Sequence, residues 1–210
     1  RIWIRKEGRG KKLRKKSHIL LGRYLADQMS EVYSLQQHRK AFCLGNIMPD
    51  LKPSFLTTRH EFFGTFNQLQ SNMRELVERS PEEDNARVYW RRFGEVMHYM
   101  ADYFTFPHNR TYKGSLAEHN SYEAELKNRL KECILSGRAD SQLEEAKHFD
   151  SFEELVEYIR ERHTCYLESP RCIADDIRFI LRVCYQVVQG IFQLCMRRQF
   201  HMEEQPLMVG

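Results

Sequence analysis

Five residues between positions 98 and 123 have the types and the spacing of metal ligands. They are His98, Asp102, His108, His119 and Glu123. Residues four apart in an α-helix project from one face, so His98 with Asp102, or His119 with Glu123, can reach one ion or two neighbouring ions. Imidazole nitrogen and carboxylate oxygen are ligands that suit zinc where no thiolate is available. The segment predicts a zinc site shared by two helices and the loop between them.

The residues around His98 and Asp102 are strongly apolar. Between positions 96 and 106 the only other polar side chain besides tyrosine is Thr105, so this segment is expected to be buried. A buried charge without a partner costs on the order of several kcal/mol. No Lys or Arg lies between Arg92 and Arg110, so a metal cation is the expected counter-charge. Either pair taken alone would be more typical of a solvated helix face or a local salt bridge than of a metal site.

Three upstream residues extend this pattern to an ordered set of eight. In chain order the set is His18, Asp50, His60, His98, Asp102, His108, His119 and Glu123. The order, with its two pairs spaced four apart, resembles the bacterial zinc-dependent phospholipase C family and the single-strand-specific zinc nucleases that share its all-helical fold. The resemblance covers residues 17 to about 126.

The resemblance implies a hydrolase of phosphoric ester bonds that contains two or three zinc ions. It implies a first ion bound by His60, His98 and Asp102. A second ion would be bound by His108, His119 and Glu123. The resemblance places a third ion at His18, with Asp102 as the bridge. In the family an N-terminal tryptophan completes that third site. Here the chain continues upstream of His18, and Trp3 is not terminal.

Asp50 is the expected general base. It lies close to the first ion by the resemblance, and it sits in a segment punctuated by Pro49 and Pro53, from which its carboxylate can reach an attacking water. The alternative is an ordinary turn residue. Leu51 and Thr57 occupy positions where choline-releasing members carry aromatic residues, so no preference for phosphatidylcholine is predicted.

Helix signals recur along the whole chain, whereas alternating strand patterns do not. We predict an all-α fold of about seven helices, in one domain over residues 17–205 that follows a basic arm over residues 1–16. Predicted helix starts are Ser17, Ser80-Pro81, Ser115 with Glu118, Ser151 with Glu154, and Ser169-Pro170. Predicted helix ends are Gly45-Asn46, Tyr103 and Gly137.

The basic arm carries nine Lys or Arg residues against one acid, a net charge of +8, while the whole chain has +4. We interpret it as a solvated, partly disordered tail. The alternative is an arm that contacts anionic membrane lipids or nucleic acid.

The remaining features set the cellular context. The six cysteines show no C-x-x-C pair, which argues against a thiolate metal site and favours a cytoplasmic location. No secretory signal pattern is present, but the chain begins at Arg1, so secretion stays open. No apolar run is long enough to predict a transmembrane segment. The histidines outside the set of eight are expected at the surface: His38, His148, His163 and His201.

Three functions are consistent with these features. The first is a phospholipase C-like hydrolase in which a metal-activated water attacks phosphorus. The second is a zinc-dependent nuclease or phosphodiesterase. The third is a non-catalytic helical scaffold that binds lipid or nucleic acid and contains only structural metal.

Overall fold

The computed structural model describes the backbone of residues 4–51, 61–170 and 172–203, and the side chains between residues 16 and 201 of those ranges. Within them the chain forms eight α-helices and no strand, which confirms the all-α prediction. The helices are α1 (Ile4–Gln28), α2 (Tyr33–Gly45), α3 (Met48–Leu51), α4 (Phe62–Glu78), α5 (Ala86–Tyr103), α6 (Leu116–Leu135), α7 (Phe152–Glu168) and α8 (Ile173–Glu203).

The first helix begins well before the predicted position. Helix α1 starts at Ile4 and runs through Ser17 without interruption, so the predicted start at Ser17 is wrong. Lys and Arg are good helix formers, and a single serine inside a helix costs little. Residues 4–16 therefore form a helix that is continuous with the domain rather than an irregular tail. The functional boundary between arm and domain after residue 16 stays a prediction.

The fourth predicted helix begins five residues later than its capping signal suggested. Ser80 does accept a hydrogen bond from the backbone N–H of Glu83, at 3.1 Å, but this closes a turn. The side chain of Asn85 then caps α5 by accepting from Val88 N–H at 3.1 Å. Two capping residues compete in this segment, and the second one starts the helix. The predicted end of α5 at Tyr103 is confirmed.

The predicted ends of α6 are also confirmed. Ser115 and Glu118 form a reciprocal capping box at its start, and Gly137, just beyond its end, has a φ of +75° that favours glycine. Helix α7 begins after Ser151 as predicted. Helix α8 begins at Ile173, beyond the predicted Ser169-Pro170 signal.

Helices α2 and α5 touch along their backbones. A Cβ atom on Gly94 would clash with the carbonyl oxygen of Phe42, and one on Gly45 would clash with the carbonyl oxygen of Arg91. Two glycines are thus needed where these helices meet. This close packing fixes the end of α2 against the middle of α5.

Helix α8 forms the centre of the core and contacts α1, α4, α5, α6 and α7. By length and composition alone, residues 173–201 could cross a membrane, and 61% of the apolar stretch is buried inside the fold. Among the described residues it is the one helix that meets this criterion. Its apolar character is accounted for by its packing against the other helices.

Candidate metal centre

Five separate elements bring the candidate ligands to one place. Helix α5 contributes His98 and Asp102 from its buried face, and the other elements surround it. Helix α1 contributes His18, and α3 contributes Asp50. The 3-10 turn Phe106–His108 contributes His108, and α6 contributes His119 with Glu123. His60 lies outside the described residues, so its predicted role stays a prediction.

The first ligand group consists of His18, Asp50 and His98. One ligand atom from each lies within 4.8 Å of the others. The Nε2 atom of His98 is 3.9 Å from Oδ1 of Asp50, and the ring centroids of His18 and His98 are 4.0 Å apart. Two imidazoles and a carboxylate therefore surround a single point.

The second ligand group consists of His108, His119 and Glu123, whose ligand atoms also lie within 4.8 Å of one another. Oε1 of Glu123 is 2.7 Å from Nε2 of His119 and 3.3 Å from Nε2 of His108. The predicted pairing of residues four apart on α6 is therefore present, and the turn after α5 supplies the third side chain.

Asp102 lies between the two groups. Its Oδ1 is 3.2 Å from Nε2 of His18, while its Oδ2 is 3.2 Å from Nε2 of His98 and 3.8 Å from Nδ1 of His108. Oδ1 therefore faces the first group and Oδ2 lies between the two groups, so Asp102 is the candidate ligand placed closest to both.

The chemistry of His98 fits a metal ligand. Its Nδ1 lies 2.8 Å from the backbone carbonyl oxygen of Asn46, and because a carbonyl only accepts, Nδ1 must carry the proton. In the neutral ring the lone pair of Nε2 then points at the carboxylates of Asp102 and Asp50. A positive charge is needed between these groups, and either a proton on Nε2 or a metal ion supplies it. A metal-bound histidine commonly donates its other N–H to a backbone carbonyl in this way.

Asp50 supports the same conclusion. Its Oδ2 atom is buried and has no hydrogen-bond partner among the described residues. A buried carboxylate oxygen without a donor is costly. Zinc accepts oxygen ligands alongside imidazole, and either the ion or a water bound to it would satisfy this oxygen, so the residues that are present fit this ion.

The charges in the centre are strongly coupled. Burial would raise the pKa of Asp102, but the nearby charges of His108, His98 and His18 outweigh it and hold that pKa well below its usual range. Burial, followed by repulsion from His98, lowers the pKa of His18. Burial also opposes protonation of His98, but the carboxylates of Asp102 and Asp50 raise its pKa overall. The geometry thus keeps Asp102 ionised and ready to face a cation.

The centre is closed on one side and more open on the other. The side chain of His98 is fully buried, whereas the side chain of His119 is 16% exposed. A cavity of about 30 Å³, roughly the room for one water molecule, lies beside His18, Asp102 and Glu123. The most exposed of the described candidate ligands is therefore in the second group.

Of the eight residues singled out in the sequence, the structure brings together the seven that it describes. The resemblance separated His18, at a third ion, from His98, at the first. In the structure the two rings are adjacent and share the first group with Asp50. The described ligands therefore form two groups joined by Asp102, and the binding of ions by these residues stays a prediction.

Sequence reasoning missed two residues that contact elements of the centre, and it misplaced a third residue on α7. Asn46 was assigned only as a helix stop, and its carbonyl orients His98. Asp176 on α8 accepts hydrogen bonds from the segments that carry the second group. His163, predicted at the surface, is buried with its ring stacked on Phe62 at 3.9 Å. That surface prediction is wrong.

Comparison with known families agrees with the geometry. The model of the family described as zinc dependent phospholipase C matches residues 17–173, about three quarters of the chain. The match begins one residue before His18 and includes every candidate ligand. No curated protein and no solved structure was found to match. The chain is a member of the zinc-dependent phospholipase C family.

Proposed function

We propose that this protein hydrolyses phosphoric ester bonds with two zinc ions, one at each ligand group. The observation that carries the proposal is the position of Asp102, whose Oδ1 faces His18 of the first group and whose Oδ2 lies between His98 of the first group and His108 of the second. A single carboxylate between two sets of imidazoles is suited to hold two ions close enough to act on one phosphate. Isolated structural sites would not need this bridge.

Each group of residues has its own task in this reaction. When bound, zinc would lower the pKa of its water from about 15.7 to about 7 and would provide positive charge for the phosphoryl oxygens. His18, His98, His108, His119 and Glu123 hold the ions in place. Asp50 accepts the proton of the attacking water, whose oxygen bonds to phosphorus while the bond to the leaving oxygen breaks. The leaving oxygen then takes a proton from solvent.

Asp50 is suited to act as this base. Its side chain is only 6% exposed, and its Oδ2 has no hydrogen-bond donor among the described residues. One oxygen therefore faces His98, and the other is available to receive a proton. In a proton transfer of this kind the base must lie within hydrogen-bond reach of the water.

The substrate that we propose is a phospholipid. Family membership indicates a substrate of the phospholipid type, and the head group is a separate question. Leu51 follows Asp50 directly and is 46% exposed. An aliphatic side chain offers no cation–π contact to a quaternary ammonium group. We therefore propose a head group other than choline.

The test compares zinc content and turnover in the same preparations. Purified protein is assayed for zinc, then for hydrolysis of vesicles of phosphatidylcholine, phosphatidylethanolamine, phosphatidylglycerol or phosphatidylinositol, with single-stranded DNA and bis(p-nitrophenyl) phosphate alongside. We expect two zinc ions, lipid hydrolysis that a chelator abolishes, and recovery when zinc is restored. The Asp50→Asn variant should retain at least one zinc ion and lose most of its turnover.

The alternatives predict different results in this assay. A nuclease would degrade the DNA and leave the vesicles intact. A scaffold with structural metal would bind zinc without turning over any substrate.

A matched control for substitution of a ligand such as His98 is His38→Asn. Like His98, His38 lies close to a backbone carbonyl, Ser34 O at 2.9 Å, but it takes no part in either ligand group. Turnover that survives complete zinc removal would exclude the proposed mechanism.

We also propose that the basic segment before residue 17 attracts anionic membrane lipids. Its net charge of +8 is the support for this contact. Adding phosphatidylserine to phosphatidylcholine vesicles should increase sedimentation of the protein with them. Salt at 0.5 M, about three times the ionic strength of physiological buffer, should reverse the increase. A fragment lacking residues 1–12, which removes +5 of this charge, should show both effects much more weakly. Binding to DNA but not to vesicles would instead support a nucleic-acid contact.

A further inference from the structure

Asp176, near the start of α8, is a fully buried carboxylate with three hydrogen-bond donors. Its Oδ1 accepts from the hydroxyl of Tyr166 at 2.7 Å. Its Oδ2 accepts from the backbone N–H of Phe106 at 2.9 Å and from the hydroxyl of Tyr122 at 2.8 Å. Asp176 lies beyond residues 17–173, which match the family model. Burying a carboxylate is costly unless donors such as these surround it.

The two donors to Oδ2 belong to the segments that carry the second ligand group. Phe106 begins the 3-10 turn that ends at His108. Tyr122 immediately precedes Glu123 on α6. One oxygen atom of Asp176 thus ties together two segments that are otherwise joined by a loop. In the centre itself, Nε2 of His108 lies 3.3 Å from Oε1 of Glu123.

This link restricts how far the segments that carry His108 and Glu123 can move relative to each other. Consecutive residues of an α-helix are rotated by roughly 100° about its axis, so holding the Tyr122 hydroxyl also fixes the direction in which Glu123 points. Holding the N–H of Phe106 fixes the start of the turn that ends at His108. Zinc tolerates deviations of only about 0.2 Å in ligand distance.

We propose that Asp176 is a positioning residue that sets the separation of His108 and Glu123 for the second zinc ion. It touches neither the ion nor the substrate and acts through Phe106 and Tyr122. The inference rests on the proposed function, because it concerns one of the two ions assigned there. It adds a residue from α8 to a centre whose candidate ligands all lie upstream of residue 124.

The two tyrosines provide a matched pair of variants. Tyr122→Phe and Tyr166→Phe each remove one hydroxyl that donates to the same carboxylate. Tyr122 lies on α6 beside Glu123, whereas Tyr166 lies on α7, which carries no candidate ligand. A merely structural role of Asp176 predicts that the two variants do not differ in zinc binding. A positioning role makes them differ in zinc binding.

The experiment is a zinc titration of the metal-free full chain against a competing chelator, with thermal unfolding measured in parallel. We expect Tyr122→Phe to weaken the affinity of one of the two ions about tenfold, a typical effect of losing a residue that orients a ligand. Asp176→Asn should weaken the same ion at least as much. Tyr166→Phe should lower the melting temperature and leave both zinc affinities unchanged.

A second background identifies the affected ion. In His119→Asn, which removes a ligand of the second group, Tyr122→Phe should cause no further loss of zinc affinity. Equal loss at both ions, equal effects of the two tyrosine variants, or unchanged affinity in a stable Tyr122→Phe protein would each overturn the inference. If the unaltered protein binds no zinc, the proposed function fails instead, so the two failures are distinguishable.

Discussion

Nδ1 of His98 lies 2.8 Å from the backbone carbonyl oxygen of Asn46. Asn46 directly follows α2, and its side chain donates to the carbonyl of Phe42 at 3.0 Å. The orientation of a central candidate ligand therefore depends on how α2 packs against α5. That packing depends in turn on Gly45 and Gly94, where the two backbones approach each other most closely.

Gly94→Ala should disturb both stability and the metal centre. The added Cβ would clash with the carbonyl of Phe42, so α2 must move away from α5 and take the Asn46 carbonyl with it. We expect a loss of about 1–3 kcal/mol in unfolding free energy, the usual cost of overpacking a core. Zinc affinity should fall as well. Urea unfolding and a zinc titration measure the two effects.

Gly64→Ala is the control for this substitution. Gly64 is also inside a helix, α4, but an added Cβ there meets nothing within 4 Å. Alanine should stabilise this helix by about 0.5–1 kcal/mol, and zinc binding should not change. If Gly94→Ala bound zinc as tightly as the unaltered protein, the coupling between helix packing and His98 would be wrong.

Asp102→Asn should weaken both zinc ions rather than one. The substitution preserves the shape of the side chain but removes the negative charge that faces His18, His98 and His108. A bridging carboxylate serves both ions, so the titration should show two weakened affinities. Asp140→Asn is the control, since it makes the same change in a carboxylate that accepts from the hydroxyl of Tyr24 at 2.9 Å and belongs to neither ligand group. Loss of a single ion would show that Asp102 does not bridge.

Removing zinc should destabilise the fold. A ligand at about 100 times its dissociation constant stabilises the folded state by about 2.7 kcal/mol per site. For a chain of 210 residues this corresponds to a fall of about 5–10 °C in melting temperature for one site when zinc is removed. Scanning calorimetry with and without chelator measures it. The chelator effect should shrink in His98→Asn and persist in full in His38→Asn.

The fold was predictable from the sequence where capping and apolar spacing agree, as at Ser115 with Glu118 and at Gly137. Predictions went wrong where local signals compete, as at Ser80 and Asn85. The convergence of Asp50 with His98 was expected only by resemblance, because no local rule joins residues 48 positions apart. The link from Asp176 to Tyr122 is likewise long-range.

His163 shows a different kind of error. Its sequence neighbours are charged or polar, namely Arg160, Glu161, Arg162 and Thr164, and these led to the surface prediction. On a helix, however, the relevant neighbours are three and four residues away. Ile159 and Tyr166 are both buried, and His163 lies on their face of α7. Helical periodicity therefore predicts that His163 is buried, whereas the composition of its immediate neighbours does not.

This burial makes His163 a source of acid sensitivity. Burial lowers the pKa of His163 to about 4, against 6.5 in the unfolded chain. Below pH 6.5 the unfolded state therefore binds a proton that the folded state excludes, and stability is lost as pH falls toward 4. The contribution from this residue should reach about 3 kcal/mol by pH 4.

Urea unfolding of metal-free protein at pH 7.5, 6, 5 and 4 measures this effect, with His163→Phe as the comparison. Phenylalanine retains the stacking on Phe62 but does not titrate, and it gives up the contact of Nε2 with Asn109 Oδ1 at 3.3 Å. The rest of the chain is the same in both proteins, so the difference between the two curves isolates His163. The His163→Phe variant should lose less unfolding free energy on acidification than the unaltered protein. If the difference in unfolding free energy between the two proteins stayed constant over this pH range, His163 would be protonated as readily in the folded chain as in the unfolded one.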